Sequence, residues 1–344
     1  MSKKCIELID KSLRFKAEFT KNHMSSHLPM ALIALSKMGA TDEQLERFYT
    51  RYAKRLPSKG PIIQKYTSAN WKQNLGQHRF NHAYADYFLN EIQQKGISAT
   101  LKEYLPELMP GISGGAFHPM IRLAYALELN HDAEVAEALG AWAIAYQVFP
   151  PSHPVADEYR FMADDLVELL ETLAKDDDFK NFKTTRKNIF GKIAEVMNTS
   201  SFNFYKNTLD LSNPQASLDE ISKTMAELFD DCHDFTILHG FTSTQALRSL
   251  QPYLTKPQQR DALQHFTQAL AAAYVTVGCP PYQKPAAAPV ATHSWSEIFN
   301  KACEFNDDHK IKLVYTCYKE HQEQPNQKIY KTIATKFTFP PPKK

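Results

Sequence analysis

Glycine is scarce in this chain, at 11 of 344 residues. That scarcity argues against an α/β protein rich in phosphate-cradling turns. Neither a GxGxxG nor a GxxxxGK[ST] pattern is present, so no dinucleotide or P-loop fingerprint can be read. No apolar run approaches the length of a membrane span. No basic stripe is present either. The formal net charge is +2 with acidic and basic residues interleaved, which argues against nucleic acid as a partner. The five cysteines, at 5, 232, 279, 303 and 317, show no CxxC spacing. Such a set reads as reduced thiols in a cytoplasmic protein. The first residues, MSKKCIELIDKSLRFKAEF, have no continuous apolar stretch and do not read as a signal peptide.

What the chain has is apolar and aromatic bulk at helical spacing. Hydrophobic residues make up 43% of it, enough for a sizeable core. Leu45, Phe48, Tyr49 and Tyr52 fall at i, i+3, i+4 and i+7 and form one helix face. Thr41 and Gln44 have capping-box spacing before it, and the same signature recurs at Ser217/Glu220, Thr242/Gln245 and Ser294/Glu297. Further helices are expected at about 4–19, 81–95, 119–129, 132–148, 155–174, 184–197, 257–276 and 308–320. No long period-2 run is present. The expected architecture is all-α, a single large domain of about a dozen helices over 1–324. It contains a Pro/Ala-rich loop at 279–292 and is followed by an extended or frayed tail over 325–344.

Histidine carries the chemical information. KNHMSSHLPMALIAL, GGAFHPMIRLAYAL, LHGFTSTQALRSL and NDDHKIKLVYTCY each place a histidine at the start of an apolar helical run. Imidazoles at the rim of a core can share a metal, and iron, zinc and copper all accept them. His23 and His27 share a face if helical and can then ligate one metal; the alternative is that Asn22, Ser25 or Ser26 caps the helix and one histidine is only exposed. His118 precedes Pro119, which disfavours the α region for His118 and suits it to an N-cap. His239 precedes the capping box at Thr242. His309 follows Asp307 and Asp308, residues suited to a helix start. Lys312 lies one turn further on. It either snorkels to water or is buried, and a buried amine has a lowered pKa and can capture carbon dioxide as a metal-binding carbamate. Phe117, Tyr125, Trp142 and Tyr146 are expected either in the wall of a substrate pocket or in helical core packing. Two His-Asp dipeptides, His131-Asp132 and His233-Asp234, raise a rival reading as a metal phosphohydrolase. A non-catalytic helical protein is the third.

In order, NHMSSHLPMALIALSKMGAT, NWKQNLG, DYFLNEIQQKG, LPELMPGISGGAFHPMIRLAYALE, EVAEALG, LHGFTSTQALRSL and DDHKIKLVYTC resemble the questin oxidase-like family. That family includes fungal enzymes that oxidise anthraquinones, with a Baeyer–Villiger-type oxygen insertion that opens a ring. The resemblance implies a mostly helical oxygenase acting on an aromatic, polyketide-like small molecule and dioxygen. It also implies, for some members, a mononuclear non-haem Fe(II) held by histidines and a carboxylated lysine. His23 or His27, His118, His239 and His309 match the family histidines, and Lys312 its lysine. His78 and His82 fall where the family is less regular. Flavin enzymes of this reaction type need Gly-rich Rossmann turns, and this chain has no flavin-binding motif. Electrons come either directly from an electron-rich phenolate substrate or from NADPH through a separate reductase. The oligomeric state is not specified by the sequence.

Overall fold

A computed structural model describes residues 2–20, 23–148, 161–206, 208–283 and 292–340. Helices make up 69% of the structure, as the 3.6-residue apolar period requires. Fourteen α-helices occur among the described residues: α1 (Lys3–Ser12), α2 (Leu28–Lys37), α3 (Asp42–Ala53), α4 (Asn81–Leu108), α5 (His118–Leu129), α6 (Asp132–Ala145), α7 (Leu166–Lys175), α8 (Ile189–Met197), α9 (Pro214–Cys232), α10 (Phe235–Leu250), α11 (Lys256–Thr276), α12 (Trp295–Ala302), α13 (Asp308–Glu323) and α14 (Ile329–Thr338). Two two-residue strands, β1 (Glu18–Phe19) and β2 (Met24–Ser25), pair antiparallel. The described cysteines form no disulfide. No described helix is long and apolar enough to cross a membrane.

The centre of the fold is a set of helices buried on most of their faces. In α2, every residue from Leu28 to Leu35 is buried, and α10 is buried from Thr236 to Arg248. A helix buried all round is enclosed by neighbours on several sides. α2 packs on α5 and α13, and α10 packs on α5, α9 and α13. These four central helices, α2, α5, α10 and α13, carry the histidines of interest at or near their N-terminal ends.

Several local expectations need correction. α1 ends at Ser12 rather than near 19, because Phe15 pairs with Ser58 and the chain then enters the β1–β2 hairpin. α4 runs to Leu108, interrupted at Gly96, whose φ of 80° and ψ of 161° glycine adopts at no steric cost. The tail is not extended throughout. α14 buries Ile329, Tyr330, Ile333 and Ala334, and the Tyr330 hydroxyl donates to Ser222 Oγ at 3.1 Å. Burial of such side chains at roughly 1.5–3 kcal/mol each outweighs the Pro and Lys at the extreme end. Most of the Pro/Ala-rich loop at 279–292 and residues 155–160 of the helix expected at 155–174 lie outside the described residues; the described part of that helix begins only at Leu166, where the Asp165 carboxylate caps α7 by accepting from the Glu168 amide at 2.9 Å.

Two capping boxes also dissolve. Thr242 lies inside α10, which begins two turns earlier, where the Asp234 carboxylate accepts from the Thr236 and Ile237 amides at 2.6 and 3.2 Å. Ser217 lies inside α9, capped instead by Asn213. The boxes at Thr41 and Ser294 are formed.

Candidate metal centre

Four histidines from four helices meet at one point. His27 immediately precedes α2, His118 opens α5, His239 sits in the second turn of α10, and His309 is the second residue of α13. One ligand-competent atom from each lies within 4.8 Å of the others. Positions 118, 239 and 309 are far apart in sequence and are brought together only by the packing of α5, α10 and α13.

Local sequence aims each ring. The turn before α5 has positive φ at Gly115, Ala116 and Phe117 (56°, 56° and 67°). Left-handed backbone at two non-glycine residues costs of order 1–3 kcal/mol each and needs a surrounding structure that enforces it. Gly114 is one enforcing contact, since a Cβ there would stand 2.2 Å from the Ala145 carbonyl oxygen. The turn brings the Gly115 carbonyl to His118 Nδ1 at 2.5 Å. His118 itself is the first helical residue, with φ −57° and ψ −40°, rather than the N-cap. The tertiary packing therefore overrides the pre-proline preference. His239 is within α10 rather than before it, and its Nδ1 reaches the Phe235 carbonyl at 2.7 Å. His27 Nδ1 bonds the Asp308 carboxylate, and its backbone N–H donates to the Tyr52 hydroxyl at 2.9 Å.

These contacts fix tautomers. A carbonyl accepts only, so His118 and His239 must each hold their proton on Nδ1. Each Nε2 then presents a lone pair, and the two Nε2 atoms face one another at 3.1 Å. Two lone pairs so placed repel unless a cation or proton lies between or beside them. Two ligands about 2.1 Å from one ion, at an angle near 90°, are about 3.0 Å apart. His309 Nε2 is buried with no hydrogen-bond partner. His27 stacks on His118 and meets His309 edge-on, both with ring centroids at 4.6 Å. The donor set therefore fits a metal that accepts neutral imidazole. The carbonyl and carboxylate contacts to Nδ1 are the outer-shell type that orients metal-binding imidazoles.

Electrostatics agree. Burial, reinforced by Lys312 and neighbouring rings, holds His27 well below the usual imidazole range. Burial, His27 and His239 do the same to His118. Burial and Lys312 lower His239 to about 4, and burial first, then Lys312, lowers His309. Neutral rings at pH 7 are the ligating form. Helix starts add partial positive charge, which Asp234, Asp307 and Asp308 counter. Lys312 is buried at 2% exposure, not snorkelling, and burial lowers its amine to about 8.

The histidines form the floor of a cleft of about 980 Å³. Its aromatic lining is Phe19, Tyr52, Phe190, Phe235 and Phe305, and its cations are Arg51, Arg55, Lys187 and Lys310. Phe235 packs against His239 and His309, with centroids at 4.5 and 4.6 Å, and is half exposed. The four aromatics expected in the wall are core residues, and none lines this cleft. Phe117 meets Phe266, Tyr125 meets Tyr315, Trp142 donates to the Gly111 carbonyl, and Tyr146 packs over Gly111. They point along or between helices, whereas the cleft lies beyond the helix starts.

His23 is not in the four-histidine group. It stands at the cleft mouth with φ 53°, stacked on His78. Of the alternatives at the first segment, His27 is the one on the floor. His82 bonds the Gly60 carbonyl at 2.7 Å. Asp308 is the residue that sequence reasoning missed, because its helix-start role hid its contact with a histidine 281 positions earlier. The His-Asp dipeptides do not converge among the described residues. His131 caps α6 through Nδ1 and bonds Asp10, while His233 ends α9 and Asp234 caps α10. The phosphohydrolase reading therefore loses its residues to helix capping.

A family model described as Questin oxidase-like matches residues 24–317. Similar proteins include the Baeyer-Villiger oxidase AgnL3 of Paecilomyces divaricatus, 23% identical over 243 residues, covering 62% of this chain and 53% of that protein. The Baeyer-Villiger monooxygenase dmxR6 of Cryptosporiopsis sp. (strain 8999) is 26% identical over 129 residues, covering 33% of this chain and 28% of that protein. The chain thus spans about half the length of the first relative and a smaller share of the second. The family match extends over most of the chain and includes all four floor histidines, so this protein belongs to the questin oxidase-like family.

Proposed function

We propose that the protein is a non-haem iron oxygenase that inserts oxygen into a flat aromatic, polyketide-like substrate. The observation that carries this reading is the pair of Nε2 lone pairs of His118 and His239, 3.1 Å apart with both Nδ1 protons already committed. Imidazole alone suits iron, zinc and copper. The oxidative chemistry named for the two relatives disfavours redox-inert zinc, and the family resemblance points to iron rather than copper.

His27, His118, His239 and His309 would hold the ion. Asp308 would fix the His27 ring through Nδ1 and supply nearby negative charge. Lys312, buried one turn after His309, would complete the set as a carbamate, because its lowered pKa leaves a fraction of free amine at neutral pH. Bound iron supplies the activation of dioxygen. The chain supplies the rest. Phe235 offers a ring face beside the histidines for a planar substrate. Arg51, Arg55, Lys187 and Lys310 favour a phenolate over a neutral phenol. Arg55 is held over Tyr52, 4.0 Å from the ring centroid. The aromatic lining limits water at the floor.

The test is metal analysis of tag-free protein purified without added metal, together with oxygen uptake on hydroxyanthraquinones. About one iron per chain, with uptake that depends on it, supports the reading. Protein that binds no iron after anaerobic Fe(II) addition sinks it.

A further inference from the structure

A second group of metal-type donors stands at the mouth of the same cleft, apart from the four floor histidines. Glu18, His23 and His78 bring one ligand-competent atom each within 4.8 Å of one another. Both imidazoles direct Nδ1 to the same oxygen, Glu18 Oε2, at 3.1 Å for His23 and 2.7 Å for His78. The rings are stacked, with centroids 3.7 Å apart and planes 17° from parallel. Two nitrogens and one carboxylate oxygen, from residues 5 and 60 positions from the glutamate, are gathered onto one side of one carboxylate.

One further observation favours a cation there. The Glu18 side chain is only 12% exposed, and its ion-pair partners among the described residues are these two histidines, with no lysine or arginine. A largely buried carboxylate needs positive charge nearby, and a divalent cation shared with the two imidazoles would supply it.

We propose that Glu18, His23 and His78 form a second divalent-metal site of zinc type, separate from the four-histidine centre. Two imidazole nitrogens and a carboxylate oxygen are a donor set that zinc accepts, with further coordination left for water or a ligand entering the cleft. The site ties the β1–β2 hairpin to the segment around His78, and so braces one side of the cleft mouth. It rests on its own donors and is independent of which metal the floor binds.

Zinc titration of chelator-stripped, tag-free full-length protein tests this, read by equilibrium dialysis and elemental analysis. The decisive quantity is the number of equivalents lost on substitution. His78→Ala and Glu18→Gln should each lose about one equivalent of zinc relative to the parent chain, while His118→Ala loses a different one, so that His78→Ala/His118→Ala loses both. His23→Ala, at an exposed hairpin position, serves as the substitution least able to disturb folding, and circular dichroism checks all five variants. If His23→Ala and His78→Ala bind as many equivalents as the parent, the cluster is only a hydrogen-bonded histidine pair and the proposal is overturned. A parent chain whose zinc is lost entirely in His118→Ala overturns it equally, without touching the reading of the floor.

Discussion

The floor and the mouth of one cleft use the same residue types in opposite settings. On the floor, the His27 side chain is 7% exposed, and its acidic partner Asp308 is 14% exposed. At the mouth, the His23 side chain is 51% exposed and shares Glu18 with His78. The floor histidines are anchored at or near the starts of central helices, and the Nδ1 atoms of His27, His118 and His239 are committed to a carboxylate or to carbonyls. The mouth histidines come from a two-residue hairpin and a short 3₁₀ turn. The comparison teaches that imidazole chemistry here is set by the rigidity and dryness of the supporting element rather than by the residue. A buried ring must stay neutral and keep a lone pair, whereas an exposed ring exchanges partners with water.

Breaking the floor should have the largest effect. His118→Ala and His239→Ala should each reduce iron affinity by at least about 100-fold and abolish oxygen uptake, because a direct ligand matters more than its outer-shell partner. Asp308→Asn keeps the size of the side chain but removes the charge that orients His27. Iron affinity should fall about 10–100-fold with the helical circular dichroism unchanged. An unchanged affinity would leave Asp308 only as a favourable negative charge in the first turn of α13, which Asp307 caps.

Lys312 sharpens the comparison, since among the described residues no lysine pairs with Glu18 at the mouth. Lys312→Ala should lower iron occupancy, Lys312→Glu should partly restore it, and bicarbonate should raise occupancy in the parent chain only. Occupancy in Lys312→Ala equal to that of the parent would leave a site of histidines without a carbamate.

Acid should next separate the two regions. The folded-state pKa of His239 is lowered to about 4 by burial, against about 6.5 when unfolded. Between these values the unfolded chain binds more protons, so stability is complete above about pH 6.5 and falls as pH drops toward 4. His239 alone should cost the metal-free protein about 2 kcal/mol between pH 7.5 and pH 5. His27, His118 and His309 shift in the same direction and add to this. Urea unfolding at the two pH values measures it, and His239→Gln should flatten the dependence. The smallest effect is expected from His23→Ala, which should change iron affinity at the floor by less than about twofold, since His23 is not among the floor donors.

Much of the fold was legible because helix formation depends on local periodicity. The face of Leu45, Phe48, Tyr49 and Tyr52 and the box at Thr41 appear where the pattern puts them. The tail and the hairpin were less so. α14 is stabilised by contacts with α9 and α13, and two-residue strands leave no period to read. At the site, the sequence singled out the four floor histidines together with His23, because each belongs to a segment that leads into or through an apolar run. It could not separate His23 from His27, since both belong to one segment and only packing shows which faces α5 and α13. It also misplaced the aromatics, because a core face and a pocket face have the same composition.

By itself, then, the sequence determined the helical class, the absence of nucleotide-binding turns and the set of imidazoles available to a metal. These follow from side-chain chemistry and spacings of three or four residues. Only the tertiary structure decided that α2, α5, α10 and α13 start at one point, that Asp308 belongs to His27, and that Glu18 gathers a second pair of histidines. Those contacts join residues as far as 281 positions apart. No local rule encodes them, because their free energy arises from helix packing that forms only when the whole core does.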